Sequence, residues 1–430
     1  MINTIRGILF VIAIANSVCA FSQIKVMSYN LLNFPTGNFQ GRVDTLEKII
    51  NYYRPDLFMI QELKTAQGLT DVTNMMNDLD YGVFASTTYL PQQSNQGSTF
   101  PLQQAMVYNT NMFGLVTESF IETEVRDINR FTLYLKTVDL ALTEDTVFLH
   151  VFVTHLKSSQ GAENEALRFQ MVQAFNTYLS NFMSPDDLII FCGDFNLYSN
   201  QEPAYIAMTN ENNSLYMVDP LASLGNWDSS TFPHKEILTQ STRTSSLMND
   251  GAGGGVDDRF DFIMFSPALM STNSPVYYLA ESYKSLGNNG DCFNQNITAC
   301  DEGNEVPFSI LRSMYFMSDH LPQVCELGLQ VELNSASTID LSPRARFKFC
   351  SAHPSSTGPL CIKILGNETI NGSIRVINSL GQIQQTDSFI KSSAEETFFI
   401  SSEQFVPGVY LIELVDGNEV IASHRFLVIH

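Results

Sequence analysis

With 430 residues the chain is long enough for more than one domain and for a core of ordinary size. A hydrophobic fraction of 44% and a mean hydropathy of -0.01 exclude a disordered chain and a multi-span membrane chain. Lys+Arg of 23 against Asp+Glu of 45 gives a net charge of -22, which works against tight, sequence-independent binding of nucleic acid but not against an enzyme that meets phosphate through a divalent cation.

The first residues read as an address. Arg6 gives a positive start, and residues 8–18 form a mostly apolar stretch too short to span a membrane. Small residues at Ala20 and Ser22 offer two cleavage positions, and cleavage after Ser22 is preferred. Residues 1–22 are thus expected to be a signal peptide. Val18 stands before Cys19 where a lipid anchor calls for a small residue. No later apolar run reaches ~20 residues, so the exported chain is expected to be soluble, without stable membrane insertion.

Strands and helices then alternate over residues 24–333. Residues 24–28 read as a strand. Arg42 to Tyr53 reads as a helix with Val43, Leu46, Ile50 and Tyr53 on one face, and Pro55 stops it. Residues 57–60, 105–108, 131–135 and 147–153 continue the strands. Ala162 to Phe182 reads as an amphipathic helix with Leu167, Met171, Ala174 and Tyr178 at helical spacing. Residues 188–192 are almost wholly apolar, which suits a strand buried on both faces. Such alternation predicts helices packed on sheets. Residues 334–346, rich in Ser and Thr, read as a linker. Turn signals at Gly366-Asn367, Asn371-Gly372, Gly381, Pro407-Gly408 and Gly417-Asn418 make residues 347–430 a small all-β domain.

Cys292 with Cys300, and Cys350 with Cys361, bracket short polar loops, as disulfides of an oxidising compartment do. Zinc is the alternative, but neither pair has a second pair of ligands nearby. Cys192 and Cys325 lie in apolar runs and read as buried small hydrophobes.

Five polar motifs each follow an apolar, β-prone run. They are Ser28-Tyr29-Asn30, Gln61-Glu62-Leu63-Lys64, Thr154-His155-Leu156, Gly193-Asp194-Phe195-Asn196 and Ser318-Asp319-His320. Phosphodiester hydrolysis needs a cation, a base for water, a donor for the leaving oxygen and neutral donors for the phosphate. One carboxylate and one amide oxygen suffice for magnesium, which keeps several waters, and Glu62 with Asn30 supplies both. A solvated strand end and a turn former are the plainer readings of these two residues. Asp194 and Asn196 flank Phe195, so extended backbone sends both to one side; an Asx turn is the competing reading. His155 and His320 are candidates for base and general acid, against structural histidines. Asp261, opposite Phe260 and Phe262 by alternation, is the candidate acceptor for the base histidine's far nitrogen.

Together the motifs resemble the endonuclease/exonuclease/phosphatase superfamily, which includes pancreatic-type deoxyribonucleases, apurinic endonucleases, bacterial sphingomyelinases and inositol polyphosphate 5-phosphatases. The resemblance covers residues 24–327. It implies an α/β fold, a four-layered sandwich of two packed β-sheets flanked by helices. It also implies that Asn30 and Glu62 bind or position magnesium, or calcium or manganese in its place, with Asp319 beside the metal. By the same resemblance Asp194 and Asn196 orient water and phosphate, Asp261 pairs with His320 as the water-activating base, and His155 stabilises the leaving oxygen. Leu32 departs from the apurinic endonucleases, and Asp257-Asp258-Arg259-Phe260-Asp261 from the Pro-Ala-Trp-Cys-Asp-Arg type signature of the 5-phosphatases. Secreted nucleases and sphingomyelinases remain. A sphingomyelinase is expected to reach its membrane with an exposed aromatic hairpin, for which Tyr277, Tyr278 and Tyr283 are candidates, ordinary strand residues being the plainer reading. A nuclease is expected to hold the nucleic-acid backbone, for which Lys64, Arg130, Lys157 and Arg168 are candidates.

The C-terminal run Gln404-Phe405-Val406-Pro407-Gly408-Val409-Tyr410-Leu411-Ile412, followed by a strand over 425–429, resembles the type A sorting domain read by type IX secretion systems of Gram-negative bacteria. An immunoglobulin-like or carbohydrate-binding sandwich is the alternative. The expectation is therefore a secreted, monomeric, metal-dependent phosphodiesterase, foremost a nuclease. Its rivals are a sphingomyelinase-like phospholipase C and a catalytically silent binding protein on the same fold.

Overall fold

A computed structural model gives the chain over residues 23–428, apart from 38, 95–101, 138–145, 332, 334–345, 350–359, 366–368, 379–381, 394, 402–404, 407 and 418. The expected signal peptide and all of the expected linker but Arg346 lie outside the described residues. The chain divides into two compact units, Met1–Ser335 and Ala336–His430.

In the first unit the order is β1 (Gln23–Phe34), α1 (Arg42–Tyr53), β2 (Leu57–Leu63), α2 (Ala66–Asp78), β3 (Phe84–Ser86), β4 (Gln103–Asn109), β5 (Phe113–Ile121), β6 (Ile128–Leu135) and β7 (Phe148–His155). Then come α3 (Ala162–Phe182), β8 (Leu188–Asp194), α4 (Pro203–Met208), β9 (Asp261–Phe265), α5 (Pro267–Met270), β10 (Val276–Tyr278), β11 (Lys284–Ser285), α6 (Phe308–Met317) and β12 (Gln323–Leu329). One sheet runs β10-β12-β1-β2-β4-β3, with β11 also on β12; the other runs β5-β6-β7-β8-β9. The pairs β1–β2 and β7–β8 are parallel.

Alternation sorts the side chains. On β1, Ile24 and Val26 join Met59, Met106, Val151, Ile190 and Cys325 in the layer between the sheets. Met27, Tyr29 and Leu31 turn to the other face and pack with residues of the helices, among them Leu46, Ile50, Met76 and Met314. The result is the expected four-layered α/β sandwich, two packed sheets flanked by helices. Each large apolar side chain buried in these layers contributes about 1.5–3 kcal/mol relative to exposure.

The two helices expected from the sequence have the expected bounds. On α1 the buried residues are Arg42, Leu46, Ile49 and Ile50, with Val43 and Tyr53 packed alongside. On α3 they are Arg168, Met171, Val172, Phe175 and Leu179, one residue round from the expected stripe. The ring of Phe175 sets that rotation, stacking on Phe191 at 3.9 Å and meeting Phe152 edge-on at 5.2 Å.

Residues 275–283 do not project. Tyr278 stacks on Phe265 at 5.0 Å, and the buried Tyr283 hydroxyl accepts the Ile263 N–H at 3.0 Å. These tyrosines are therefore strand and core residues, the plainer of the two readings, and not a membrane hairpin. Cys292 and Cys300 form a disulfide, while Cys192 and Cys325 are free and buried. Cys350 lies outside the described residues. Among the described residues no helix is long and apolar enough to cross a membrane.

The second unit is all β, with β13 (Arg346–Phe349), β14 (Leu360–Leu365), β15 (Ile370–Asn378), β16 (Ile383–Lys391), β17 (Glu395–Ile400), β18 (Gly408–Asp416) and β19 (Glu419–Val428). They form two antiparallel sheets, β13-β14-β17 and β16-β15-β18-β19. Ile362, Ile374, Val376, Phe389, Ile412 and Leu414 form its core.

Candidate active site

At one end the layer between the sheets turns polar. Parallel pairing makes β1 and β2, and likewise β7 and β8, finish on the same rim. Asn30 and Gln61 are register partners in the first sheet; His155 pairs with Asp194, and Asp194 with Asp261, in the second. The turn from α6 into β12 brings Asp319 and His320 to them, and the Ser318 hydroxyl anchors that turn on the Asn30 carbonyl at 2.6 Å. Two local devices aim the strand ends. At Gly193 (φ 134°) a Cβ would stand 1.9 Å from the Thr154 carbonyl oxygen, so only glycine lets β8 close on β7 here. At Glu62 the backbone is left-handed (φ 59°) inside a register shift, a bulge that re-aims the carboxylate.

His320 Nδ1 lies 2.7 Å from Asp261 Oδ2. Burial opposes charge on this ring, but Asp261 and Asp194 outweigh it and hold its pKa well above the ordinary value. His155 is the converse case. Burial first, then Arg126 and His320, push it well below the ordinary value, although its Nε2 is 3.5 Å from Asp194 Oδ2. The surroundings thus bias the two histidines in opposite senses, His320 toward its charged form and His155 toward its neutral one. Burial also raises Asp194 to about 7, with Asp261 and Glu62 adding to the effect against His320. Glu62 is raised by burial and then by Asp319.

Asn30 joins the halves of the cluster. Its Nδ2 donates to Glu62 Oε1 and to Asp194 Oδ2, each at 3.1 Å, while its Oδ1 accepts the Leu32 N–H at 2.9 Å. The amide oxygen expected to face a metal is therefore turned to the backbone, because the N–H groups are drawn to the two carboxylates. Asp194 satisfies both sequence readings at once. Oδ1 closes an Asx turn, accepting from the Asn196 backbone and side chain at 3.1 and 2.7 Å, while Oδ2 faces the cluster. The left-handed Asn196 (φ 51°) ends the extended backbone at that point.

Asp319 Oδ2 accepts from the Ala252 N–H at 2.6 Å and from Gln240 Nε2 at 3.3 Å. Its Oδ1 is buried without a partner, as are Asp261 Oδ1 and His155 Nδ1. Ligand atoms of Glu62, His155 and Asp194 lie within 4.8 Å of one another, and those of Asp194, Asp261 and His320 do too. Crowded, desolvated carboxylates with an unpartnered oxygen among them fit a hard divalent cation such as magnesium, calcium or manganese.

The expected substrate contacts fare differently. Arg168 is wholly buried, its Nε 2.8 Å from Glu202 Oε2 and its Nη1 2.9 Å from the Lys157 and Ser159 carbonyls. It braces the turn after β7 and is closed off from the surface. Arg130 lies over the Tyr178 ring of α3, 5.6 Å from its centroid, with Nη2 3.4 Å from His150 Nδ1. That position is on the helix-covered face of the second sheet, not the rim. Lys64 and Lys157 are half-buried beside Glu62 and His155 in the chain. The sequence reading misses two residues. Arg126 donates from Nη1 to the Leu156 carbonyl at 3.0 Å, and Gln240 Nε2 lies 2.7 Å from His320 Nε2. Neither follows an apolar run, which is the signal that marks the five motifs.

No curated protein matches the chain. Solved structures with a similar fold include the human Nocturnin catalytic domain with bound sulfate anion, at 18% identity over 71% of this chain and 94% of that one, with a TM-score of 0.45. D. rerio TDP2 complexed with single strand DNA product is 15% identical over 71% of this chain and 99% of that one, with a TM-score of 0.44. An endonuclease/exonuclease/phosphatase from Beutenbergia cavernae DSM 12333 is 13% identical over 94% and 99%, with a TM-score of 0.42. The model of the Endonuclease/Exonuclease/phosphatase family matches residues 27–320, a span that runs from the first strand to the last histidine of the rim. This chain belongs to the Endonuclease/Exonuclease/phosphatase family.

Proposed function

We propose that the protein is an exported, divalent-cation-dependent phosphodiester hydrolase acting on nucleic acid. The observation that carries this reading is the buried Asp261–His320 pair, 2.7 Å apart, facing Asp194 and the carboxylates of Glu62 and Asp319. Glu62 and Asp319 would hold the cation, with Asn30 positioning Glu62. When bound, the cation supplies positive charge to the nonbridging phosphate oxygens and offsets the carboxylates that hold a proton on His320. Asp261 accepts the Nδ1–H of His320 and so leaves Nε2 to take a proton from the attacking water. Asp194 Oδ2, 3.7 Å from that nitrogen, orients the water, and Asn196 offers its amide to the phosphate. His155 donates to the leaving oxygen.

Two observations favour nucleic acid over sphingolipid. The aromatic segment at 275–283 is folded into the first sheet. Arg126 and Lys157 stand near enough to His155 to depress its pKa, and with Lys64 they would meet neighbouring phosphates. Export rests on the address at residues 1–22, and surface sorting by type IX machinery on the motif at 404–412 within a domain of residues 347–430. The experiment is turnover of DNA, RNA, sphingomyelin and a chromogenic phosphodiester, each with and without EDTA. Cation-dependent cleavage of DNA or RNA is expected. Turnover of sphingomyelin alone would select the phospholipase reading, and silence on every substrate would overturn catalysis.

A further inference from the structure

Behind the loop that holds Asp319 stands a ring closed by a disulfide. Cys292 and Cys300 are bonded to each other, and both are buried. The residues between them carry the contacts that dock this ring on residues 239–258. The Gln295 carbonyl accepts the Val256 N–H, and the Val256 carbonyl accepts the Asn294 N–H, each at 3.1 Å. The Ile297 N–H donates to the Thr242 carbonyl at 2.9 Å, and Asn296 Oδ1 accepts the Thr244 N–H at 2.8 Å. A Cβ at Gly255 would stand 2.3 Å from the Asn294 carbonyl carbon, so the two backbones meet directly.

The other side of the docked segment holds the rim. Thr242 donates its N–H to the Asp319 carbonyl at 3.0 Å and its hydroxyl to the Ser318 carbonyl at 2.6 Å. The Ala252 N–H donates to Asp319 Oδ2 at 2.6 Å, and the Thr239 hydroxyl accepts the Phe260 N–H at 3.0 Å. Thr242 thus ties the ring with its carbonyl and the Asp319 turn with its N–H. Gly251, Gly253, Gly254 and Gly255 leave the segment little conformational bias of its own. Its shape therefore follows from what it is docked against.

We propose that the Cys292–Cys300 disulfide is a positioning link that sets Asp319 through residues 239–258, so that oxidation after export completes the active site. In that step the two thiols give up two protons and two electrons and an S–S bond forms between them. The disulfide of a dithiol–disulfide oxidoreductase is reduced to two thiols in exchange. Without the bond the ring keeps the freedom that closure removes, and the docked arrangement becomes one of several. Both cysteines lie in the apolar layer with Ile297, Leu311 and Met314, so the finished fold shields the bond from outside thiols. The link stands on the contacts alone; its bearing on catalysis rests on the hydrolase reading, and its timing on export.

The test compares three forms of the full chain: refolded under disulfide-forming conditions, refolded and kept in dithiothreitol, and the double variant Cys292→Ala/Cys300→Ala. The variant separates this bond from the chain's other cysteines. Hydrogen–deuterium exchange in EDTA, read by peptide mass spectrometry, follows residues 239–258 over a time in which β7 of the oxidised chain stays protected. Without the bond these residues should exchange about thirtyfold faster while β7 keeps its protection, the lower end of what a disulfide contributes. With bis(4-nitrophenyl) phosphate both forms lacking the bond should need about tenfold more magnesium for half their maximum rate, from misplacement of Asp319. Equal exchange in all three, or loss of protection in β7 together with 239–258, would overturn the link. Faster exchange with an unchanged magnesium requirement would overturn its bearing on catalysis. A reduced wild type that matches the oxidised chain in both readouts would overturn activation by oxidation. Faster exchange with no hydrolysis by any form would uphold the link and overturn the hydrolase reading instead.

Discussion

Replacing Asp219 by Ala should unfold the protein's catalytic unit more readily than almost any other polar substitution. Asp219 takes both terminal nitrogens of Arg259, each at 2.8 Å, with side chains 2% and 1% exposed. Burial alone pushes Asp219 up; Arg259 more than reverses it and holds the carboxyl below its usual range. The guanidinium lies 4.2 Å from the centroid of the Phe262 ring and 5.4 Å from that of Trp227, and the Tyr205 hydroxyl donates to Asp219 at 3.0 Å. Arg259 stands two residues before Asp261, so the pair anchors the strand that aims Asp261 at His320. Asp219→Ala leaves a buried guanidinium without a counterion, which costs about 3–5 kcal/mol. Two charge-assisted hydrogen bonds at roughly 1.5–3 kcal/mol each give about 3–6 kcal/mol, an overlapping range. Asp219→Ala combined with Arg259→Met should recover most of the loss, because an apolar pair of similar volume is close to neutral in such a site. Urea unfolding measures both, provided the m-value is unchanged. A loss under about 1 kcal/mol in the single variant, or no recovery in the double, would refute the reasoning.

Gly193→Ala should destabilise by about 3 kcal/mol or more, through collision with the Thr154 carbonyl and a backbone angle that alanine avoids; an unchanged melting temperature would contradict the packing described. Burial, then Arg130, lowers His150 to about 4, against ~6.5 in an unfolded chain. Between those values the unfolded chain takes up a proton that the fold refuses, so this stability is full above about pH 6.5 and falls as the pH drops toward 4. His150→Gln should flatten that part of the pH dependence in urea unfolding, and parallel curves for the two proteins would count against it. His320→Ala should cut hydrolysis by about 10²–10⁴-fold while the fold persists, and equal activity in both proteins would remove the histidine from its role as base.

The strands are legible wherever an apolar run is continuous, as on β8, because a strand buried on both faces has no place for polar residues. β5 is not legible in this way. Its residues are mostly half-buried, so Thr117, Glu118 and Ser119 interrupt the pattern. The face of α3 is displaced by one residue because ring stacking between Phe175 and Phe191, a tertiary contact, outweighs helical spacing. Asn30, Glu62, His155 and Asp194 stand out because each comes late in such a run, whereas Asp319 and His320 follow the helix α6 and Asp261 opens β9. Gln240 does not stand out, since bridges to distant segments place it and nothing local marks it. Arg168 reads as a surface cation until its buried partner Glu202, 34 residues on, is in view.

The most direct test of one cation site at this rim is magnesium added back to EDTA-stripped protein, following hydrolysis of a chromogenic phosphodiester by wild type and by Glu62→Gln. Turnover should vanish without the cation, and the variant should need about tenfold or more magnesium to regain half its maximum rate. Undiminished turnover in EDTA, or the same magnesium curve for both proteins, would contradict the account.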